Sequence, residues 1–185
     1  DEHIYIFSLN SVEKIFNLYD FELVDAIPQI THGGSMRYII KRKNIEKKTT
    51  RLIKLIENEK INKLDSIESC LEFKKNCELS KISLIKKINY LKDNEKTICG
   101  YAATSKSTTI LNYCNIDSNT INFICDTTPE KIGKFSPGMH IPIVDMDYFK
   151  KNITDAVYLF AWNHKEEIFK KENSFKGEWF SHVAL

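Results

Sequence analysis

An α/β fold is what this 185-residue sequence predicts, with a small parallel-sheet domain preceded by a helical connector and by one helix with a pair of strands. Three observations carry that reading. From Lys96 onward, short and nearly continuous apolar runs alternate with helical stretches, the pattern of strands covered on both faces. Between Lys41 and Asn94 there is neither glycine nor proline, and the residues are mostly Lys, Glu, Ile and Leu. Ahead of Lys41, one helical periodicity is followed by two strand-like runs around a glycine turn.

In chain order, Ser8 and Ser11 are candidate N-caps for a helix whose apolar positions are Val12, Ile15, Phe16 and Tyr19. A strand over 22–27 follows, ended by Pro28 and the Thr31-His-Gly-Gly-Ser35 turn, and a second strand over 36–40 returns. One helix and two strands leave too much apolar surface for independent stability, so residues 1–43 are expected to need further chain or another molecule to complete their sheet. Residues 44–94 read as the connector. Its stripes Leu52/Ile53/Ile56, Ile67/Cys70/Leu71 and Leu84/Ile85/Ile88/Leu91 predict two helices broken near Asp65-Ser66, with Ser66 capping the second. Residues 95–185 then read as strand, helix, strand, loop, strand, helix, strand, with strands at 97–101, 122–125, 156–160 and 179–183. A small Rossmann-like sheet is the natural solution, with the strand ending at Tyr101 near its centre.

Composition narrows the function classes. Twenty-seven basic and 25 acidic residues leave a net charge of +2, and the basic excess of residues 41–60 reads as a solvated helix face, so no nucleic-acid partner is expected. Cysteines 70, 77, 99, 114 and 125 form no Cys-x-x-Cys pair, which argues against a disulfide framework or a bound metal and fits a reducing cytosol. The longest apolar run, Ala156 to Trp162, is far below the roughly 20 residues of a membrane span. With no signal peptide read at Asp1-Glu2, the chain is expected to be cytoplasmic.

The turn that follows the strand ending at Tyr101 carries the most chemistry. Ligands of parallel sheets bind beyond the carboxyl ends of strands, where helix N-termini present unpaired N–H groups. Thr104, Ser105, Lys106 and Ser107 stand there, three hydroxyls and an ammonium suited to a phosphate or pyrophosphate. Gly-x-x-x-x-Ser-Lys-Ser misses the triphosphatase P-loop by one glycine, where Ser105 stands, and the dinucleotide fingerprint lacks two glycines. Asp126 ends the next strand, within reach of a ribose. Among the histidines, His32 lies in a glycine turn where it could contact substrate, while His140, His164 and His182 read as structural.

Three segments are similar to one family. Gly100-Tyr-Ala-Ala-Thr-Ser-Lys106-Ser-Thr-Thr-Ile-Leu-Asn-Tyr113, then Asp126-Thr-Thr-Pro-Glu-Lys131-Ile-Gly133-Lys-Phe-Ser-Pro137-Gly-Met-His140-Ile-Pro142, then Leu159-Phe-Ala-Trp-Asn163 resemble the C-terminal part of the S-adenosylmethionine-dependent sugar C-methyltransferases. The family turn reads Gly-Tyr-Gly-Ala-x-x-Lys-Gly, so Ala102 and Ser107 replace two glycines. Asp1-Glu-His-Ile-Tyr-Ile-Phe-Ser8 and Thr31-His-Gly-Gly-Ser35 resemble its Glu-His-x-x-Tyr-Phe-Ser segment and the turn near the end of its methyltransferase domain.

The resemblance implies a nucleotide-linked keto-deoxysugar as substrate. It implies catalysis by Glu2 and His3, and substrate contacts from Thr104, Ser105, Lys106, Ser107, Asp126, Trp162, Asn163 and His32. Methylating carbon requires a carbanion, and a neutral imidazole is suited to removing the proton beside a ketone. It also implies that S-adenosylmethionine serves the complete enzyme and is not bound by these residues alone. The glycine-rich turn and acid of a cofactor sheet have no counterpart before residue 43, so a missing N-terminal methyltransferase half, in the same or a separate chain, is expected as partner. The chain alone is then expected to be inactive and prone to self-association, with a homo-oligomer one outcome. The competing reading is a non-catalytic nucleotide-sugar binding or assembly module.

Overall fold

The structure, a computed structural model, describes residues 5–31 and 34–184. They fall into two compact units, Asp1–Asn76 and Cys77–Leu185, whose boundary lies within one long helix.

In the first unit, helix α1 (Leu9–Asn17) begins at Ser8, whose hydroxyl accepts from the Ser11 N–H while the Ser11 hydroxyl accepts from the Ser8 N–H. The next two unpaired N–H groups of α1, those of Leu9 and Asn10, donate to the carboxylate of Glu59 at 2.7 and 3.2 Å. Every helix start must find such acceptors or meet water, and here a neighbouring element supplies one. Strands β1 (Phe21–Gln29) and β2 (Ser35–Arg42) pair antiparallel, with an irregularity between Leu23 and Asp25. The first strand does not end at Pro28, which sits in register opposite Met36. Each strand of a two-stranded sheet is an edge strand, where a residue lacking an N–H is tolerated. Helix α2 (Thr50–Ile61), capped by the Thr49 hydroxyl, packs Leu52 against Leu9, Val12, Leu23 and Ala26. Helix α3 (Ile67–Asp93) starts where expected, with the Ser66 hydroxyl accepting from the Ser69 N–H at 3.2 Å.

The second unit is a three-layer α/β/α sandwich. Its strands β3 (Ile98–Tyr101), β4 (Ile124–Cys125), β5 (Ile143–Val144), β6 (Ala156–Leu159) and β7 (Glu178–Phe180) are all parallel and ordered β5-β4-β3-β6-β7. The first strand in sequence is thus the middle strand in space. Alternation along the strands sorts the core into two faces. Ile98, Ile124, Ala156, Tyr158 and Phe160 meet Leu84, Ile88 and Leu91 of α3 and Leu111 of α4 (Ser105–Cys114). Cys99, Tyr101, Cys125, Val157 and Leu159 meet Phe149 of α5 (Met146–Lys151) and Ile168 of α6 (Lys165–Lys171). Gly100 is glycine for this packing, since a Cβ there would lie 2.6 Å from the Phe160 ring and 3.0 Å from Ile124.

The second unit departs most from the sequence reading at its two edge strands. The edge strand β5 is only two residues long, too short to show a period. Strand β7 stops at Phe180 because the chain then bends, bringing His182 Nδ1 to 2.8 Å from the buried Tyr158 hydroxyl. Among the described residues no helix is long and apolar enough to cross a membrane.

Candidate functional site

The chain runs from β3 outward to β4 and β5, then crosses back to β6 and β7, so strand order reverses between β3 and β6. The carboxyl ends flanking such a reversal are where open parallel sheets hold ligands. The segment leaving β3 is residues 102–104, and the segment leaving β6 is residues 160–164.

Leaving β3, Ala102 adopts φ +73°, a left-handed conformation that turns the chain sharply into α4. Thr104 is the N-cap, accepting from the Ser107 N–H at 3.2 Å, while the Ser107 hydroxyl donates back to the Thr104 carbonyl at 2.6 Å. Ser107 is therefore buried and turned toward its own helix start. Ser105 and Lys106 are exposed in the first turn of α4. Among the described hydrogen bonds, the N–H groups of Ser105 and Lys106 have no acceptor.

Asp126, leaving β4, is only 7% exposed. Its Oδ2 accepts the Ala103 N–H at 2.7 Å and its Oδ1 the Thr128 N–H at 2.8 Å. Lys131 Nζ lies 3.5 Å from Oδ2 and donates to the Ala103 carbonyl at 2.8 Å. The Asp126–Lys131 pair thus grips both polar groups of Ala103 and holds the turn. Burial pushes the Asp126 carboxyl up, but hydrogen bonds from Thr128 and Ala103 and the Lys131 charge outweigh it and hold the group below its ordinary value.

Beyond Asp126 the chain doubles back as an irregular hairpin, with Ile143 N–H donating to the Lys134 carbonyl and Ser136 N–H to the Ile141 carbonyl. Asn112 of α4 donates to the Pro137 carbonyl at 3.0 Å, and at Gly138 (φ +81°) a Cβ would meet the Asn112 side chain at 2.0 Å. The hairpin and the start of α4 enclose a cleft of about 340 Å³ whose charged walls are Lys131, Lys134 and Glu130. Two ammoniums, the Thr104 and Ser105 hydroxyls and a helix N-terminus at one cleft suit a phosphorylated ligand. A second, more open cleft of about 690 Å³ lies beyond β6, lined by Trp162, Asn163 and the start of α6. The Trp162 indole N–H is buried without an acceptor among the described residues.

Residues 30–183 match the family model described as the C-methyltransferase C-terminal domain. The chain belongs to that family. It is also 27% identical over 175 residues to the C-methyltransferase NovU of Streptomyces niveus. The match covers 94% of this chain but 42% of NovU, so the chain spans well under half the length of that relative.

For this C-methyltransferase C-terminal domain, the structure groups the sequence-predicted Thr104, Ser105 and Ser107 at the first cleft, with Lys106 on the same helical turn but outside the cleft wall. Asp126 lies beneath the turn, and Trp162 and Asn163 line the second cleft. Glu2, His3 and His32 lie outside the described residues. Sequence reasoning did not single out Lys131 and Lys134 as ligand contacts. Their signal was present, as two lysines and a glycine within nine residues of a parallel strand's carboxyl end.

The two features that a nucleotide-cofactor sheet uses after its first strands, a glycine turn and an acid, are not free for a ligand here. Gly100, within β3, serves sheet packing, the turn that follows has no glycine, and the acid after β4 spends both oxygens on main-chain N–H groups. Nor is there, among the described residues, a cluster of side chains able to hold a metal ion.

Proposed function

We propose that this chain is the C-terminal, substrate-holding and partly catalytic portion of an S-adenosylmethionine-dependent C-methyltransferase acting on a nucleotide-linked keto-deoxysugar. The observation that carries the reading is the cleft where the N-terminus of α4 meets Lys131 and Lys134 beyond the carboxyl ends of β3, β4 and β5. The pyrophosphate of the substrate sits there, with Thr104, Ser105 and Lys106 contributing from the helix start. Trp162 and Asn163 contact the remainder of the substrate across the strand reversal. Glu2 orients His3, and His3 removes the proton beside the sugar ketone to open that carbon for methylation. His32 contacts the same sugar. The methyl donor is held by a part of the protein other than the described residues.

Titration calorimetry tests the binding half. Nucleoside diphosphates should bind the chain saturably and the corresponding nucleosides should not. Lys106→Ala and Lys134→Ala should each weaken the diphosphate by roughly ten- to a hundred-fold, the worth of a charge-assisted contact of about 1.5–3 kcal/mol. Equal affinity for nucleoside and diphosphate would move the ligand elsewhere. The catalytic half is read by exchange of the sugar's α-proton with deuterated water when the donor-binding part is present. His3→Asn should cut exchange by about 10²–10⁴, and a loss below about tenfold would make His3 a positioning residue.

A further inference from the structure

Three carboxylates in the described residues are more than nine-tenths buried: Asp25, Asp126 and Glu172. Asp25 is paired with Arg51, and Asp126 with Lys131. Glu172, 4% exposed, has no ion pair among the described residues. Its Oε1 accepts from the Tyr101 hydroxyl at 3.0 Å, and no other donor reaches its carboxylate among the described hydrogen bonds. A carboxylate can accept about four hydrogen bonds, and Glu172 Oε2, which is not sealed from solvent, has no donor among the described hydrogen bonds. Burial, then the neighbouring charge of Glu172, pushes the Tyr101 phenol up, so Tyr101 stays a donor.

Glu172 is not sealed in. It lines a cleft of about 330 Å³ at the amino ends of β6 and β7, the opposite end of the sheet from the cleft beside α4. Phe149, Ile153 and Phe175 supply its apolar wall, and the exposed Lys150 and Lys176 stand on its rim, neither in an ion pair among the described residues. A nearly buried carboxylate, an apolar wall and rim ammoniums are complementary to a small molecule that carries an ammonium, a carboxylate and an apolar group.

We propose that this cleft binds a small zwitterion of the apolar α-amino-acid class. Its ammonium pairs with Glu172, its side chain lies against Phe149, Ile153 and Phe175, and its carboxylate faces Lys150 and Lys176. The site is independent of the function proposed above, since it shares no residue with that cleft.

The test uses the full chain and three probes of one shape, L-phenylalanine, 2-phenylethylamine and 3-phenylpropionate, followed by calorimetry or by the aromatic proton signals of Phe149 and Phe175. Phenylalanine should bind saturably, phenylethylamine more weakly, and phenylpropionate most weakly. Glu172→Gln keeps an acceptor for Tyr101 and should weaken phenylalanine by roughly tenfold or more. Lys176→Gln, at an exposed position that cannot unfold the domain, should weaken phenylalanine and leave phenylethylamine unchanged. Phenylpropionate binding as tightly as phenylalanine, or an unchanged affinity in Glu172→Gln, would overturn the proposal.

Discussion

At the scale of single residues, Ala102 shows how a departure from a family pattern becomes a physical statement. Its φ of +73° costs an L-residue roughly 1–2 kcal/mol, a cost glycine does not bear. Ala102→Gly removes that cost but frees the unfolded chain, which takes back about 0.5–1 kcal/mol. The variant should therefore be more stable by about 0.5–1 kcal/mol, read as a higher urea midpoint of the tryptophan signal. A lowered midpoint would mean that the alanine methyl packs usefully. The second departure, Ser107, has a different account. Its hydroxyl closes on the Thr104 carbonyl, so glycine there would lose a cap bond and gain helix-interior flexibility. Roles at this scale were only partly legible in the sequence. That Thr104, Ser105 and Ser107 would crowd the start of α4 followed from their place between a strand and a helix. That Asp126 and Lys131 would grip Ala103 from both sides did not, because it depends on two loops meeting across 28 positions of chain.

Elements were the most legible scale, for reasons that differ from one to the next. Helix α3 announced itself through a long glycine-free stripe and the Ser66 cap, both local signals. Strand β3 belongs at the sheet's centre because strands alternating with helices imply a Rossmann-like sheet, and all four of its residues are buried. Strand β5 carries no signal because two residues show no period, and β1 runs past Pro28 because, among the described residues, its sheet has two strands and a proline is tolerated at an edge. The same hairpin carries a pH response. Asp25, buried beside the irregularity of β1, accepts from Arg51 and Thr49, and these bonds hold its carboxyl down to about 2 against the opposing effect of burial. The unfolded chain titrates near the ordinary value of 3.8 and so binds the proton first as the pH falls. The contribution of Asp25 is present above about pH 4 and is lost as the pH falls toward 2. Far-UV dichroism midpoints in urea at pH 5 and pH 3 should show that loss, and Arg51→Met should shrink it. An unchanged acid response in Arg51→Met would assign the sensitivity to other groups.

Over the whole molecule, the two compact units differ in how well their apolar residues are covered. Residues 77–185 close a five-stranded sheet between two helix layers, with Tyr158, Phe160 and Ile124 fully buried. Residues 1–76 rest on a small cluster around Leu9, Leu23 and Leu52, while Ile6, Leu18, Tyr19 and Ile30 are each at least 69% exposed. A two-stranded sheet with so small a core is marginal in water, whereas the second unit has the layered burial of an independent domain. Stability should therefore be uneven, with the first unit opening at lower denaturant. The sequence supplies its own reporters, because both tryptophans, Trp162 and Trp179, lie in residues 77–185. Tryptophan fluorescence follows only the second unit, and far-UV dichroism follows the helices of both. In a urea titration the dichroism should begin to fall before the fluorescence moves, giving two midpoints instead of one. A ligand of the cleft beside α4 should raise the second midpoint and leave the first where it is, since mass action stabilises only the unit that binds. Coincident transitions by the two probes would mean that α3, which runs through the boundary, couples the units into a single cooperative fold.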